Sequence, residues 1–186
     1  MKRLVCVIFA VICFALPLTA GELKFTWAAG SSGNIYGDSE FVSRFDSYKE
    51  RGNKNIVLTG ELGMKLSFTD NIAFTLNTYA NMDMLTNMSD FCLFLDYGIV
   101  GGVRIYPGLG GLNFGMEYAT GMRANLIVGE TDSTSAWGNG FRFLLEYEFK
   151  NLINSFSPSL GFAWRRMPRG NSAADHILTF YIRAPF

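Results

Sequence analysis

Histidine and cysteine are almost missing from this chain of 186 residues. His176 stands alone, and two of the three cysteines, Cys6 and Cys13, fall within the first twenty positions. Beyond those twenty only Cys92 is left, which excludes an intramolecular disulfide and a cysteine-based metal site and reads as a small core or wall residue. An HExxH zinc motif, a phosphate-cradling glycine loop and a calcium-loop signature are missing too, so no metal or cofactor is expected. Neither sign of charge prevails: 16 Lys and Arg face 16 Asp and Glu, which leaves no nucleic-acid footprint. Long apolar runs are also lacking. The longest, Leu4 to Leu18, has fifteen residues and contains Pro17, short of the ~20 that a spanning helix needs. Any membrane crossing by the rest of the chain must therefore use strands.

What is present begins with a leader. Lys2 and Arg3 precede the apolar run, and Leu18, Thr19 and Ala20 precede Gly21, which is the basic, apolar and small-residue order of a secretory signal. Residues 1–20 are expected to be a signal peptide cut between Ala20 and Gly21, leaving one domain over 21–186. A retained anchor is disfavoured by length. A lipidated Cys13 is disfavoured because Ile12 is bulky and the apolar run continues past it. Without Lys2 and Arg3 the remainder carries 14 bases against 16 acids, a net charge near −2.

From Gly21 onward the hydrophobic pattern has period two, the mark of strands with two different faces. Leu58, Leu62, Met64, Leu66 and Phe68 share one face, while Thr59, Glu61, Lys65 and Ser67 share the other. Ile72, Phe74 and Leu76 repeat the pattern after Thr69-Asp70-Asn71, a tight hairpin turn. The same reading predicts eight strands, near 22–30, 56–68, 72–82, 91–106, 112–128, 141–150, 159–167 and 176–186. Connections 31–55, 83–90, 129–140 and 168–175 read as long, and 69–71, 107–111 and 151–158 as shorter. Bacterial outer-membrane barrels have this asymmetry, with short periplasmic turns and longer outer loops, and an even strand count returns both ends to one side. The expected fold is all-β: an eight-stranded antiparallel up-and-down transmembrane β-barrel. The connection 31–55 reads as a solvated cap, with a short amphipathic helix or strand extensions as its options.

Alternation alone also fits a soluble lipocalin-like barrel, and side-chain volume separates the two. Sixteen aromatics, from Phe25 and Trp27 to Phe180 and Phe186, share the apolar parity, against Tyr79, Phe94, Tyr106 and Tyr181 on the polar one. Eight strands enclose an interior just wide enough to be filled by side chains. Sixteen aromatics would overfill it, so they are expected to face lipid. The polar parity then supplies the lumen, with Lys24, Glu61, Lys65, Asp96, Arg104, Glu117, Arg123, Arg142, Glu146, Glu148, Lys150, Arg165 and Arg183. Buried charge is costly unless paired. A network of lumenal ion pairs is expected among Glu61, Lys65, Arg104, Glu117, Arg123, Arg142, Glu146 and Glu148, with Arg123 opposite or diagonal to Glu146 and Arg104 diagonal to Glu117. It reads as a polar plug rather than a gate.

The last segment places Leu178, Phe180, Ile182, Ala184 and Phe186 on one parity. Here the chain resembles the small outer-membrane barrel families of the OmpA-domain, OmpX and OmpW type, which end in an aromatic residue on such a strand. The resemblance covers the whole of 21–186 as architecture. It implies that Leu178, Phe180, Ile182 and Phe186 form a signal for the barrel-assembly machinery, and that outer-membrane lipids surround the wall. Pro185 and the small Ala184 depart from the pattern without stopping the strand.

Some barrels of this size act on lipids with a rim serine or histidine. His176 lies near Ser172 and Asp175 but on the outward parity and without a His-x-Ser pattern, so no catalytic residue is expected. Arg166, with Arg165 and Arg169 close by, reads either as a headgroup-binding cluster or as basic side chains snorkelling to the interface. Two functions follow: a plugged structural or adhesin-like surface protein whose outer loops meet a host or surface ligand, or an OmpW-like conduit for small apolar solutes or a narrow porin. The charged lumen favours the first.

Overall fold

A computed structural model describes residues 21–87, 91–129, 132–150, 157–170 and 173–186. The leader, Ala20 included, and Ser172 lie outside the described residues. Strands β1 (Glu22–Ile35), β2 (Lys54–Ser67), β3 (Ile72–Thr86), β4 (Phe91–Ile105), β5 (Leu112–Ile127), β7 (Gly138–Glu148), β8 (Ser159–Met167) and β9 (Asp175–Pro185) form the wall. Helix α1 (Ser39–Glu50) follows β1, and a two-residue strand β6 (Ser133–Thr134) follows β5.

Each wall strand pairs antiparallel with the next, and β9 pairs back onto β1, so the sheet closes into the expected eight-stranded barrel. A walk across paired residues measures its stagger. Phe25 faces Met64, then Leu76, Gly101, Tyr118, Phe141, Arg166 and His176, and the last of these pairs with Ile35 rather than with Phe25. One circuit thus climbs ten residues. A stagger of this kind tilts the strands by roughly 40° from the barrel axis.

The two faces differ as the alternation requires. The outward parity exposes large apolar side chains all round, among them Leu62, Met116, Phe143, Leu160 and Phe180, and none of the sixteen aromatics on it is buried. A soluble monomer rarely exposes so continuous an apolar surface. The inward parity buries six carboxylates and six guanidiniums among the described residues. Glycine makes the interior fit: Tyr79 lies in line with Gly98, Gly121 and Gly138 on the next three strands. A Cβ at Gly121 would stand 2.5 Å from the Tyr79 hydroxyl, and one at Gly161 equally close to the Tyr181 ring.

The ends of the elements depart from the sequence reading in one direction. β1 continues to Ile35 and β3 to Thr86, through Ser31-Ser32-Gly33-Asn34 and Asp83, where no apolar alternation marks a strand. Inward hydrogen bonds hold these extensions: Ser32 donates to Asn81, and the Asn34 amide and the Tyr36 hydroxyl donate to Asp83. A strand that rises beyond an apolar layer needs no apolar face. Loop length separates the two ends less clearly than expected, since 87–90 is shorter than 149–158. The ends are therefore distinguished here as the helix end, where α1 sits, and the tight-turn end, where β1 begins and β9 finishes.

Candidate functional site: the filled lumen and its cap

The lumen near the tight-turn end holds a closed ring of alternating charge. Glu61 of β2 meets Arg142 of β7, which bonds Glu117 of β5 through Nε at 2.6 Å. Glu117 stands 3.7 Å from Arg104 of β4, Arg104 meets Glu146 of β7, and Glu146 accepts from Arg183 of β9 at 2.9 Å. Arg183 returns to Glu61 at 2.8 Å. Thr75 donates to Glu117 at 2.7 Å and Tyr181 to Glu146 at 2.7 Å. All six charged side chains are buried, so their mutual pairing is what makes the burial tolerable.

Nearer the helix end the charges form an open chain instead. Arg165 meets Asp96, Asp96 accepts from Arg169 at 2.6 Å, and Arg169 donates to Asp175 at 2.8 Å. Asp175 also accepts from Arg123 at 3.1 Å, and Arg123 lies 3.8 Å from Asp38. The chain thus ends on the helix, because the Asp38 carboxylate caps α1 by accepting from the Glu40 and Phe41 backbone N–H groups. The Arg123 guanidinium carbon also lies over the Phe41 ring, 3.7 Å from its centroid.

Helix α1 is more than a solvated cap. Phe41 and Tyr48 on its apolar face are buried against Leu85, Cys92, Phe94 and Ile127, inward residues at the ends of β3, β4 and β5. Phe41 meets Phe94 edge to face at 4.6 Å. Tyr36 packs on the same cluster, where burial and then the Asp83 carboxylate push its phenol far up, so it stays a hydrogen-bond donor. At the opposite mouth Lys65 bonds Glu148 at 3.2 Å and Tyr106 at 3.3 Å. The cavity behind them has about 20 Å³, room for about one water.

One of the two expected pairs does not form. Arg123 lies opposite Asp96, and Glu146 opposite Asn113, so those two do not meet. The expected pairing centred the β5–β7 hairpin near the middle of 129–140. Instead Ala124 pairs with Thr134, which centres it on Gly129, a residue at φ 83°. The polar residues of β6 carry no apolar alternation and read as loop in the sequence. Arg104 and Glu117 do lie within 3.7 Å. Lys150 is exposed in the turn after β7, and Lys24 pairs with the exposed Glu22 at the mouth, so neither belongs to the buried network. Arg165 and Arg169 point inward, which dissolves the rim cluster and leaves Arg166 outside. His176 stacks on Trp164 on the outer wall while Asp175 is buried on the inner one. Among the described residues, Asp83, Arg169 and Asp175 are the buried charged side chains that the alternation missed, because each lies in a segment read as loop.

Closed, antiparallel and filled by its own charged side chains, the molecule is an eight-stranded β-barrel of the plugged kind. Among solved structures it is similar to Ail, the attachment invasion locus protein of Yersinia pestis, in complex with the heparin analogue sucrose octasulfate (TM-score 0.56, 9% identity, 90% of this chain and 98% of that one). It is similar also to Neisserial surface protein A, NspA (TM-score 0.58, 9% identity, 90% and 99% covered). At that identity the likeness is one of fold. No protein-family model matches the chain, and no curated protein does.

Proposed function

We propose that this chain is an integral outer-membrane protein that serves as a plugged surface anchor, structural or adhesin-like, and meets its partners at the helix end. The observation that carries the reading is the pairing of a wall that exposes apolar side chains all round with a lumen closed by a ring of ion pairs and a packed helix. The wall fits lipid, and among the described residues the lumen is filled by paired side chains. Residues 1–20 direct export and are cut after Ala20, and Leu178, Phe180, Ile182 and Phe186 present the insertion signal to the barrel-assembly machinery. Phe186 closes the β1–β9 seam, donating its N–H to the Phe25 carbonyl at 3.0 Å with its ring 6.1 Å from that of Phe25. The helix end faces outward from the cell and the tight turns face the periplasm, which puts α1 where a surface or host ligand can reach it. The Ail complex supports this reading, as a barrel of this fold with a sulfated ligand bound.

No residue is proposed as catalytic, since His176 and Asp175 point to opposite faces. A conduit for apolar solutes would need an apolar lumen, and this one is charged. Planar-bilayer recording of the refolded protein tests the reading, with protease mapping on whole cells alongside. Steady conductance, or cleavage confined to the tight turns, would sink it; silence with cleavage in 36–53 is the expected result.

A further inference from the structure

At the helix end the tips of β4 and β5 are apolar on both faces. Phe91 to Leu95 run without a polar residue, and so do Leu126 to Val128, which is the pattern of a strand covered on both sides. Helix α1 covers the inner side, where Cys92, Phe94 and Ile127 pack against Phe41 and Tyr48. On the outer side Met84 of β3, Leu93 and Leu126 pair in one row, which Ile56 of β2 continues. These four keep part of their surface open, and Phe91 and Val128 beyond them are exposed. Lipid does not reach so far. Strands tilted as these are climb about 2.5 Å per residue along the barrel axis, and the apolar band of such a barrel is about 25 Å tall. On β9 the outward apolar run fits that height, since it goes from Phe186 at the tight-turn end to Leu178 and then meets His176, with the exposed Arg166 beside it on β8. On β4 the outward side chains stay apolar or aromatic from Ile105 at the same end to Phe91, about 35 Å by the same rise. Tilting the barrel would move the band along the wall and hardly lengthen it. About 10 Å of β4, Leu93 and Phe91 included, therefore stands clear of the acyl chains.

We propose that the outer face of β3, β4 and β5 is an interface between two copies of this chain, standing side by side in one bilayer about a two-fold axis along the membrane normal. A surface that looks sideways just above the lipid is met most directly by a neighbour in the same membrane. A second copy inserted in the same direction presents the same row at the same height, and two-fold pairing makes the patch its own complement. No outward residue of these three strands is charged, so no like charges meet. Pairing through β8 and β9 would instead bring Arg166 against its own copy. Three strands about 4.8 Å apart and about 35 Å tall offer on the order of 500 Å² from each copy, near the total of about 1,000 Å² that a specific interface needs. The proposal rests on the membrane reading given above and is independent of which end faces outward.

The test puts the photo-crosslinker benzoylphenylalanine in place of Leu93, or of Phe180 on β9, four strands from β4 by either route round the barrel. Each protein is irradiated in phosphatidylcholine vesicles and in cell outer membranes. Position 93 is expected to give a covalent product of twice the chain's mass, and position 180 none. Energy transfer between labelled copies in vesicles then reads association. Leu93→Glu and Leu93→Lys are each expected to weaken it at least tenfold, and an equal mixture of the two to restore it, which a folding defect would not do. Arg166→Ala is expected to leave it unchanged. Heat-modifiable gel mobility confirms that each variant is a folded barrel. Folded copies that stay single in vesicles, or that cross-link through position 180 alone, overturn the proposal. So does a mixture that fails to restore transfer, or a cell-membrane product that joins position 93 only to a different protein. Each of those outcomes leaves the membrane reading standing. A chain that never enters vesicles ends that reading first, and the proposed dimer with it.

Discussion

The two charged clusters each pair three arginines with three carboxylates, glutamates in one and aspartates in the other, and differ in connectivity. The ring of Glu61, Arg142, Glu117, Arg104, Glu146 and Arg183 closes on itself, and every member comes from the wall. The chain of Arg165, Asp96, Arg169, Asp175, Arg123 and Asp38 is open, and its last members belong to or touch the helix-end connections. Closure means that each side chain of the ring is held from two directions, so no member can leave without stranding two others. Openness means that the chain can part at its end while the barrel stays whole. The ring therefore reads as part of the barrel's global stability, and the chain as the fastening of a lid.

Glu146→Leu tests the ring at a carboxylate with three partners. It removes the acceptor of Arg104, Arg183 and Tyr181 at once and leaves two guanidiniums buried without that carboxylate. Loss of one partner of a buried pair costs about 3–5 kcal/mol. The expected outcome is a large fall in the urea midpoint for unfolding from lipid vesicles, or failure to refold. A midpoint shift of a few tenths of a molar would mean that the ring is not a unit.

Asp175→Ala tests the chain. It frees Arg123 and Arg169 and removes the acceptor for the Gly37 N–H at the entry to α1. Hydrogen bonds to charged groups carry about 1.5–3 kcal/mol, and most of that loss should appear as local opening. Protease cutting within 36–53 is expected to rise at least tenfold while the urea midpoint moves little. Equal effects on both readouts would erase the distinction between ring and chain.

The same division decides how much was legible beforehand. All six ring residues could be placed in the lumen from parity alone, because in a lipid-spanning strand apolar and polar residues must alternate. Which of them touch was less legible: Arg104 and Glu117 follow from one hairpin, but the ring closes across strands that are not sequence neighbours. For the chain, parity placed only Asp96, Arg123 and Arg165 in the lumen, and the membership of Arg169, Asp175 and Asp38 was obscured. Beyond the apolar layer solvent replaces lipid, outward side chains are free to be polar, and the alternation that identifies a strand disappears. That is why Ser31 to Asn34, Asp83, residues 133–134 and Asp175 read as loop, and why a hairpin centred on Gly129 was placed several residues too late. Helix α1 was legible only as an option, although Asp38 followed by Glu40, Phe41, Phe45 and Tyr48 carries both the cap and the apolar stripe.

Gly161→Ala sharpens the comparison with a smaller change. Tyr181 lies across the position opposite on β8 and β9, and its ring occupies the space a Cβ would need, 2.5 Å away. Overpacking of this kind costs about 1–3 kcal/mol. The Tyr181 hydroxyl must then withdraw from Glu146, so the ring is loosened from its edge. The urea midpoint should fall by less than in Glu146→Leu, with no change in the protease pattern of α1.

The smallest effect belongs to neighbours on opposite faces. Arg166 and Arg165 are adjacent in β8, yet Arg165 stacks 3.9 Å from the Tyr79 ring and bonds Asp96, while Arg166 is exposed on the outer wall beside Phe141 and His176. Arg166→Ala is expected to move the urea midpoint by no more than about 0.5 kcal/mol equivalent, the range of surface changes away from special features. Arg165→Ala strands the buried Asp96 carboxylate on one side and should cost several times more. Equal losses would place Arg166 in a structural contact with the surrounding lipid headgroups, and the wall would then share in the electrostatic fastening that the ring and chain otherwise keep to the lumen.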